Sequence, residues 1–215
     1  MKPFLIFDLD GTLVDSLPGI AASLNRCLTA HGLPGHSNDA IRSFIGDGLT
    51  TLIRRAVYSG AEPALMESLL HYYKADYAAT WEEGSEAYPG IHGLLEELQT
   101  SGFSLAVLSN KVHDFTVSMT LHVFPSIHFA KVLGQRDEIP HKPDPAMAFQ
   151  VANTIGAAPE NCIIIGDSTM DLLTASSAGM KAIAVSWGYH DRERLIAAGA
   201  TRIIDHPSML PTLLV

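Results

Sequence analysis

Four short apolar runs in this sequence end abruptly in a small or polar residue. Phe4-Leu5-Ile6-Phe7 stops at Asp8, and Leu105-Ala106-Val107-Leu108 stops at Ser109-Asn110. Ile163-Ile164-Ile165 stops at Gly166-Asp167, and Ala182-Ile183-Ala184-Val185 stops at Ser186. Runs of this length without polar alternation suit strands covered on both faces, the setting of a parallel sheet. Helical candidates lie between and after them at 92–101, 112–122, 145–155, 169–178 and 192–198. Strand and helix in alternation predict an α/β core with right-handed crossovers. Gly102, Gly156, Gly179 and Gly199 follow these helices where a left-handed C-terminal cap is useful.

One stretch breaks the alternation. From Ser16 to Gly84 no strand is evident, while 20–31, 39–44, 49–58 and 64–81 carry apolar residues at helical spacing. The strand pattern resumes after Tyr88-Pro89-Gly90, so 16–84 reads as a helical block inserted into a core made of 1–15 and 85–215. A chain of 215 residues suits one domain plus a modest insertion, since domains usually run about 100–200 residues.

Composition removes several classes of function. Hydrophobic residues are 47% and charged residues 17%, the opposite of a disordered chain. The formal charge of −9 argues against a general nucleic-acid binder, whose affinity rests on cations meeting phosphates. Cys27 and Cys162 are too few and too far apart for a disulfide framework, and read as free thiols in a reducing compartment. Asp8 and Asp10 interrupt any signal-peptide apolar region, and no stretch approaches the ~18 apolar residues of a membrane span. Without HExxH or CxxC a zinc site is not supported. The expectation is a cytoplasmic protein with no membrane or nucleic-acid partner.

Ligands of open α/β sheets bind outside the carboxyl ends of the strands. That edge would collect Asp8, Asp10, Ser109, Asn110 and Asp167. Carboxylates crowded there repel one another unless a cation joins them. Oxygen-only ligands suit Mg2+, which takes one or two carboxylates, substrate phosphate and water. A metal would also let an acidic chain handle a phosphorylated ligand.

The segment Asp8-Leu9-Asp10-Gly11-Thr12-Leu13-Val14 resembles the first motif of the haloacid-dehalogenase superfamily. Ser109-Asn110, Lys142 in His141-Lys142-Pro143-Asp144-Pro145, and Gly166-Asp167-Ser168-Thr169-Met170-Asp171 resemble its other three motifs, in order. The helical block resembles the smaller cap of that superfamily. The resemblance implies a doubly wound, Rossmann-like parallel sheet with an inserted helical cap. Within the superfamily the chain looks most like the phosphoglycolate-phosphatase group. It implies that Asp8 is the nucleophile and that Asp10 is the acid and base, a second aspartate that dehalogenases and phosphonatases lack. Lys142 would hold phosphate and offset Asp8, while Thr12, Ser109 and Asn110 would bind the phosphoryl group. Asp8, the carbonyl of Asp10, Asp167 and Asp171 would surround Mg2+.

Local readings stand beside these. Ser109 and Asn110 can cap the helix starting near 112, and Lys142 can be a solvated loop cation. Asp171 completes a capping box with Ser168, and Asp144 reads as the N-cap ahead of Pro145. In the block, Gly46-Asp47-Gly48 precedes a helix with Arg54 and Arg55. An arginine there, taken as Arg54, could meet a second anionic group, or both could lie on a solvated face. Trp187-Gly188 could line the pocket or simply pack. The expected activity is Mg2+-dependent hydrolysis of a small phosphorylated metabolite through an aspartyl phosphate, by a monomer or homodimer. The rivals are a sugar phosphomutase, a pyrophosphatase or nucleotidase, and a phosphate-binding module without turnover.

Overall fold

A computed structural model describes residues 2–214. Its frame is a six-stranded sheet in which every pairing is parallel. The strands are β1 (Phe4–Phe7), β4 (Leu105–Val112), β5 (Phe129–Gln135), β6 (Cys162–Gly166), β7 (Lys181–Val185) and β8 (Ile203–Ile204). They lie in the order β5-β4-β1-β6-β7-β8, the doubly wound order in which the chain moves outward from the centre twice. The four apolar runs became β1, β4, β6 and β7. β5 and β8 were not foreseen. They lie at the two sheet edges, where burial is incomplete: Lys131 interrupts β5, and β8 has only two residues.

The pleat sends alternate residues to opposite faces, and both faces are covered. Leu5, Phe7, Val107, Ile163 and Ile165 join one cluster, which continues into α5 (Ile91–Thr100) and α6 (His113–Val123). Ile6, Ala106, Leu108 and Ile164 join another, against α7 (Ala146–Thr154) and α8 (Thr169–Ala178). α9 (Arg192–Ala197) and α10 (Leu210–Leu213) complete the core. Gly102, Gly156, Gly179 and Gly199 have the expected positive φ, +76°, +68°, +68° and +92°. α7 begins one residue later than expected. Pro145 takes the N-cap position, yet the Asp144 carboxylate still accepts from the Ala146 amide at 2.8 Å.

Four helices fill the stretch without core strands: α1 (Leu17–Ala30), α2 (Asn38–Phe44), α3 (Leu49–Ala56) and α4 (Pro63–Thr80). They are bracketed by an antiparallel ribbon of β2 (Val14–Asp15) and β3 (Glu86–Ala87). Their apolar faces, including Leu24, Ile41, Ile53, Leu69 and Tyr77, run into the same cluster as one sheet face. No helix among the described residues is long and apolar enough to cross a membrane.

Cys27 and Cys162 are buried free thiols. Burial pushes each up to about 11, helped by Asp76 near Cys27 and Glu160 near Cys162. Both are expected to resist a disulfide reagent at mildly alkaline pH and to react once urea unfolds the chain. Fast reaction of either in the native protein would contradict that burial. Ile164 and Ile165 occupy opposite faces and are each 1% exposed. Ile164→Ala and Ile165→Ala are each expected to lose about 2–5 kcal/mol in urea titrations. A near-neutral result for either would mean that its face is not packed.

Candidate active site

The direction of winding reverses between β1 and β6, and the crevice of such a sheet opens at that reversal. The first residues past those two strands are Asp8 and Asp167. The Asp8 amide donates to the Ile165 carbonyl at 2.9 Å, which ties the two strand ends together. Thr12 Oγ1 donates to Asp167 Oδ1 at 2.9 Å, and the Tyr189 amide to Asp167 Oδ2 at 2.7 Å. The turn after β1 passes so near Asp167 that a side chain at Gly11 would collide with its carboxylate. Gly11 also has φ +84°, which favours glycine on its own account.

Lys142 stands behind Asp8. Its Nζ donates to Asp171 Oδ1 at 2.6 Å and to the Leu108 carbonyl at 3.2 Å, and pairs with Asp8 Oδ2 at 3.0 Å. Burial alone would lower the lysine, but Asp171 and Asp8 together raise it, so it stays charged. Asp171 does have its capping role: its Oδ2 accepts from Ser168 N and Oγ at 3.1 and 2.6 Å. One carboxylate thus starts α8 with one oxygen and orients Lys142 with the other.

Asp10 has a separate cation. Its Oδ1 accepts from Ser16 Oγ at 2.5 Å and from Lys111 Nζ at 3.1 Å, with Oδ2 at 3.2 Å from the same ammonium. Lys111 also donates to Tyr77 Oη at 2.8 Å. Burial works against its charge, but Asp10 and then Tyr77 hold it well protonated. The Asp10 side chain lies between these partners and the cavity. Asn110 joins three elements. It accepts from Lys142 N at 2.8 Å and donates to the Lys142 and Gly46 carbonyls, each at 2.9 Å. Ser109 accepts from Lys111 N at 3.2 Å, so its own O–H is free to donate. Neither residue caps α6 with its side chain.

Asp8, Asp10, Ser109, Asn110, Lys111 and Asp167 line one cavity beneath the helical block. Arg54 does not: it is exposed on α3, away from the lining. Arg55 pairs with Asp47 at 2.5 Å and braces the Gly46–Gly48 loop, whose glycines do face the cavity. Trp187 packs outside the lining and donates to the Thr12 carbonyl at 3.0 Å. The sequence reading stopped short of Lys111, although it directly follows Ser109-Asn110 on the same strand end. It also missed Ser16, Tyr77 and Tyr189. Ser16 occupies the α1 N-cap but spends its hydroxyl on Asp10, and Tyr189 Oη lies 3.1 Å from that hydroxyl. Arg42 of α2 donates to the carbonyls of Gly188 and of Tyr189, the latter at 3.0 Å, clasping block to core.

Oxygens of Asp8, Asp167 and Asp171 all lie within 4.8 Å of one another. Burial pushes Asp8 well up despite Lys142, with Asp171 and Asp167 adding repulsion. Burial and then Asp171 push Asp167 up to about 7. When all four are ionised, Asp8, Asp10, Asp167 and Asp171 exceed Lys111 and Lys142 by two negative charges. All the donors are oxygens. A divalent hard cation fits both this charge and this donor set, as it fits Mg2+.

A family model for haloacid dehalogenase-like hydrolases matches residues 5–185. A phosphoglycolate phosphatase of Pseudomonas syringae pv. syringae is 32% identical over 210 residues, 95% of this chain and 77% of that protein. One from Yersinia pestis is 29% identical over 96% of this chain and 91% of its own length. A haloacid dehalogenase-like family hydrolase from Streptococcus pneumoniae superposes with a TM-score of 0.89 at 28% identity, covering 100% of this chain and 99% of that one. The family match runs from β1 to the end of β7 and takes in the whole helical block. On that span, the chain belongs to the haloacid dehalogenase-like hydrolases, and within them it is similar to the phosphoglycolate phosphatases.

Proposed function

We propose that this chain is a Mg2+-dependent phosphatase acting on a small organic phosphate monoester, 2-phosphoglycolate being the first to test. The observation that carries the reading is that Asp8 and Asp10 open into the same cavity while each is held by a different lysine. A binding module has no need of a nucleophile beside an acid. The names of the relatives support the phosphate-ester class. The two free thiols support a reducing, cytoplasmic setting.

In the first step an Asp8 carboxylate oxygen bonds to phosphorus as the bond from phosphorus to the ester oxygen breaks. Asp10 gives its proton to the departing oxygen, releasing the alcohol. Lys142 keeps Asp8 aimed and balances charge on the phosphoryl oxygens, while the free Ser109 hydroxyl donates to one of them. In the second step Asp10 takes a proton from water as that oxygen bonds to phosphorus. The acyl phosphate bond breaks and returns Asp8. Asp8, Asp167, Asp171 and the Asp10 carbonyl would hold Mg2+, which supplies positive charge to the transferring group. The block 16–84 would act as the cap that excludes water during the first step, with Arg42 and Asn110 as contacts across its edge.

Asp8→Asn is expected to keep the fold and to lower phosphate release by at least about 10³-fold. Turnover near that of the wild type would remove Asp8 from the nucleophile role. Millimolar Mg2+ is expected to raise the melting temperature of the native chain through binding to the folded state. Asp167→Asn is expected to lose most of that rise, and an undiminished rise would show that the ion sits elsewhere.

A further inference from the structure

Among the described residues that line the cavity, Lys111 is the only lysine or arginine. Lys142 is outside that lining, held by Asp171, Asp8 and the Leu108 carbonyl. Arg54 and Arg55 lie outside. Around Lys111 the wall is apolar: Ile20, Leu49, Leu52, Tyr73 and Phe115. The ammonium bonds to the Asp10 carboxylate and to Tyr77 Oη, 2.8 Å away, and sits 4.7 Å from the centre of the Tyr77 ring. Both Asp10 oxygens accept from it, at 3.1 and 3.2 Å, so a ligand anion would share the ammonium with Asp10. Asp10 is the group that must reach the ester oxygen. A cation 3.1 Å from Asp10 is therefore within reach of a group carried next to that oxygen.

We propose that Lys111, braced by Tyr77, is the residue that selects the leaving group, by pairing with a negative charge carried next to the ester oxygen. The assignment rests on the phosphatase reading above and narrows it. A short carboxylate-bearing alcohol places its anion on the ammonium and its one or two carbons against the apolar wall. A sugar phosphate would bring several hydroxyls to the same wall, where Ile20, Leu49, Leu52 and Phe115 offer carbon atoms in place of partners. A neutral alkyl phosphate would bring no anion to the ammonium. Selection of this kind needs no arginine from α3.

The test compares two substrates of nearly equal size, 2-phosphoglycolate and 2-hydroxyethyl phosphate, which differ in the charge of the leaving group. The wild type with Mg2+ is expected to favour the first by about 10–100-fold in kcat/KM, the range of a charge-assisted hydrogen bond in a buried site. Lys111→Met is expected to abolish most of that preference, and Lys111→Arg to restore part of it. Should Lys111→Met fail to fold, Tyr77→Phe removes one brace while keeping the ring, and is expected to reduce the preference about 3–10-fold. Equal loss on both substrates, with the ratio kept, would overturn the assignment and leave Lys111 as a partner of Asp10 alone. A wild type that hydrolyses both equally well would overturn it too. Release of phosphate from neither substrate would instead strike the phosphatase reading beneath it.

Discussion

Three buried carboxylates, with oxygens packed within 4.8 Å of one another, set the central constraint on this molecule. Their repulsion must be offset, and most of the surrounding architecture does so. Lys142 is drawn between Asp8 and Asp171. The Asn110 amide fixes the main chain at Lys142, so the ammonium arrives at a set position. Thr12 and the Tyr189 amide take the two oxygens of Asp167. The sheet brings the carboxylates together, since parallel neighbours β1 and β6 deliver Asp8 and Asp167 side by side. What remains is an excess of charge that suits a divalent ion.

Continuous apolar runs made β1, β4, β6 and β7 legible, because strands covered on both faces have no polar side to write into the sequence. The edge strands β5 and β8 lack that signature, being short or half-exposed. The site was legible where its residues immediately follow a readable strand. Asp8, Asp10, Ser109, Asn110 and Asp167 all do so, and all line the cavity. Arg54 shows where such reading fails. Leu49, Leu52 and Ala56 form the inward stripe of α3, and a residue two positions past Leu52 lies on the opposite side of the helix. Tyr77 and Tyr189 carry no local mark. Tyr77 meets Lys111 across 34 positions of sequence and Tyr189 meets Ser16 across 173, through packing that no window of sequence contains.

The two lysines divide the electrostatic work. Lys142 lies against the fixed carboxylates and is not part of the cavity lining. Lys111 lies against Asp10 and Tyr77, under the helical block, and lines the cavity. A single cavity therefore has one end built from charge and another built from apolar side chains and a lone cation. The helical block supplies Ile20, Leu49, Leu52 and Tyr73 to the second end, while the sheet supplies Lys111 and the charged end.

The ribbon of β2 and β3 pairs Val14 with Ala87 and Asp15 with Glu86, so the chain leaves the sheet and returns to it through facing residues. Opposed positions in an antiparallel pair lie about 5 Å apart. Whatever is spliced between them meets the same narrow doorway. Doubling the length of such an insert adds only about 0.6 kcal/mol of closure entropy. The sheet can thus keep its carboxylates unaltered while the material above the doorway is lengthened, shortened or exchanged. Lineages of this architecture are free to diversify what they admit without rebuilding what reacts.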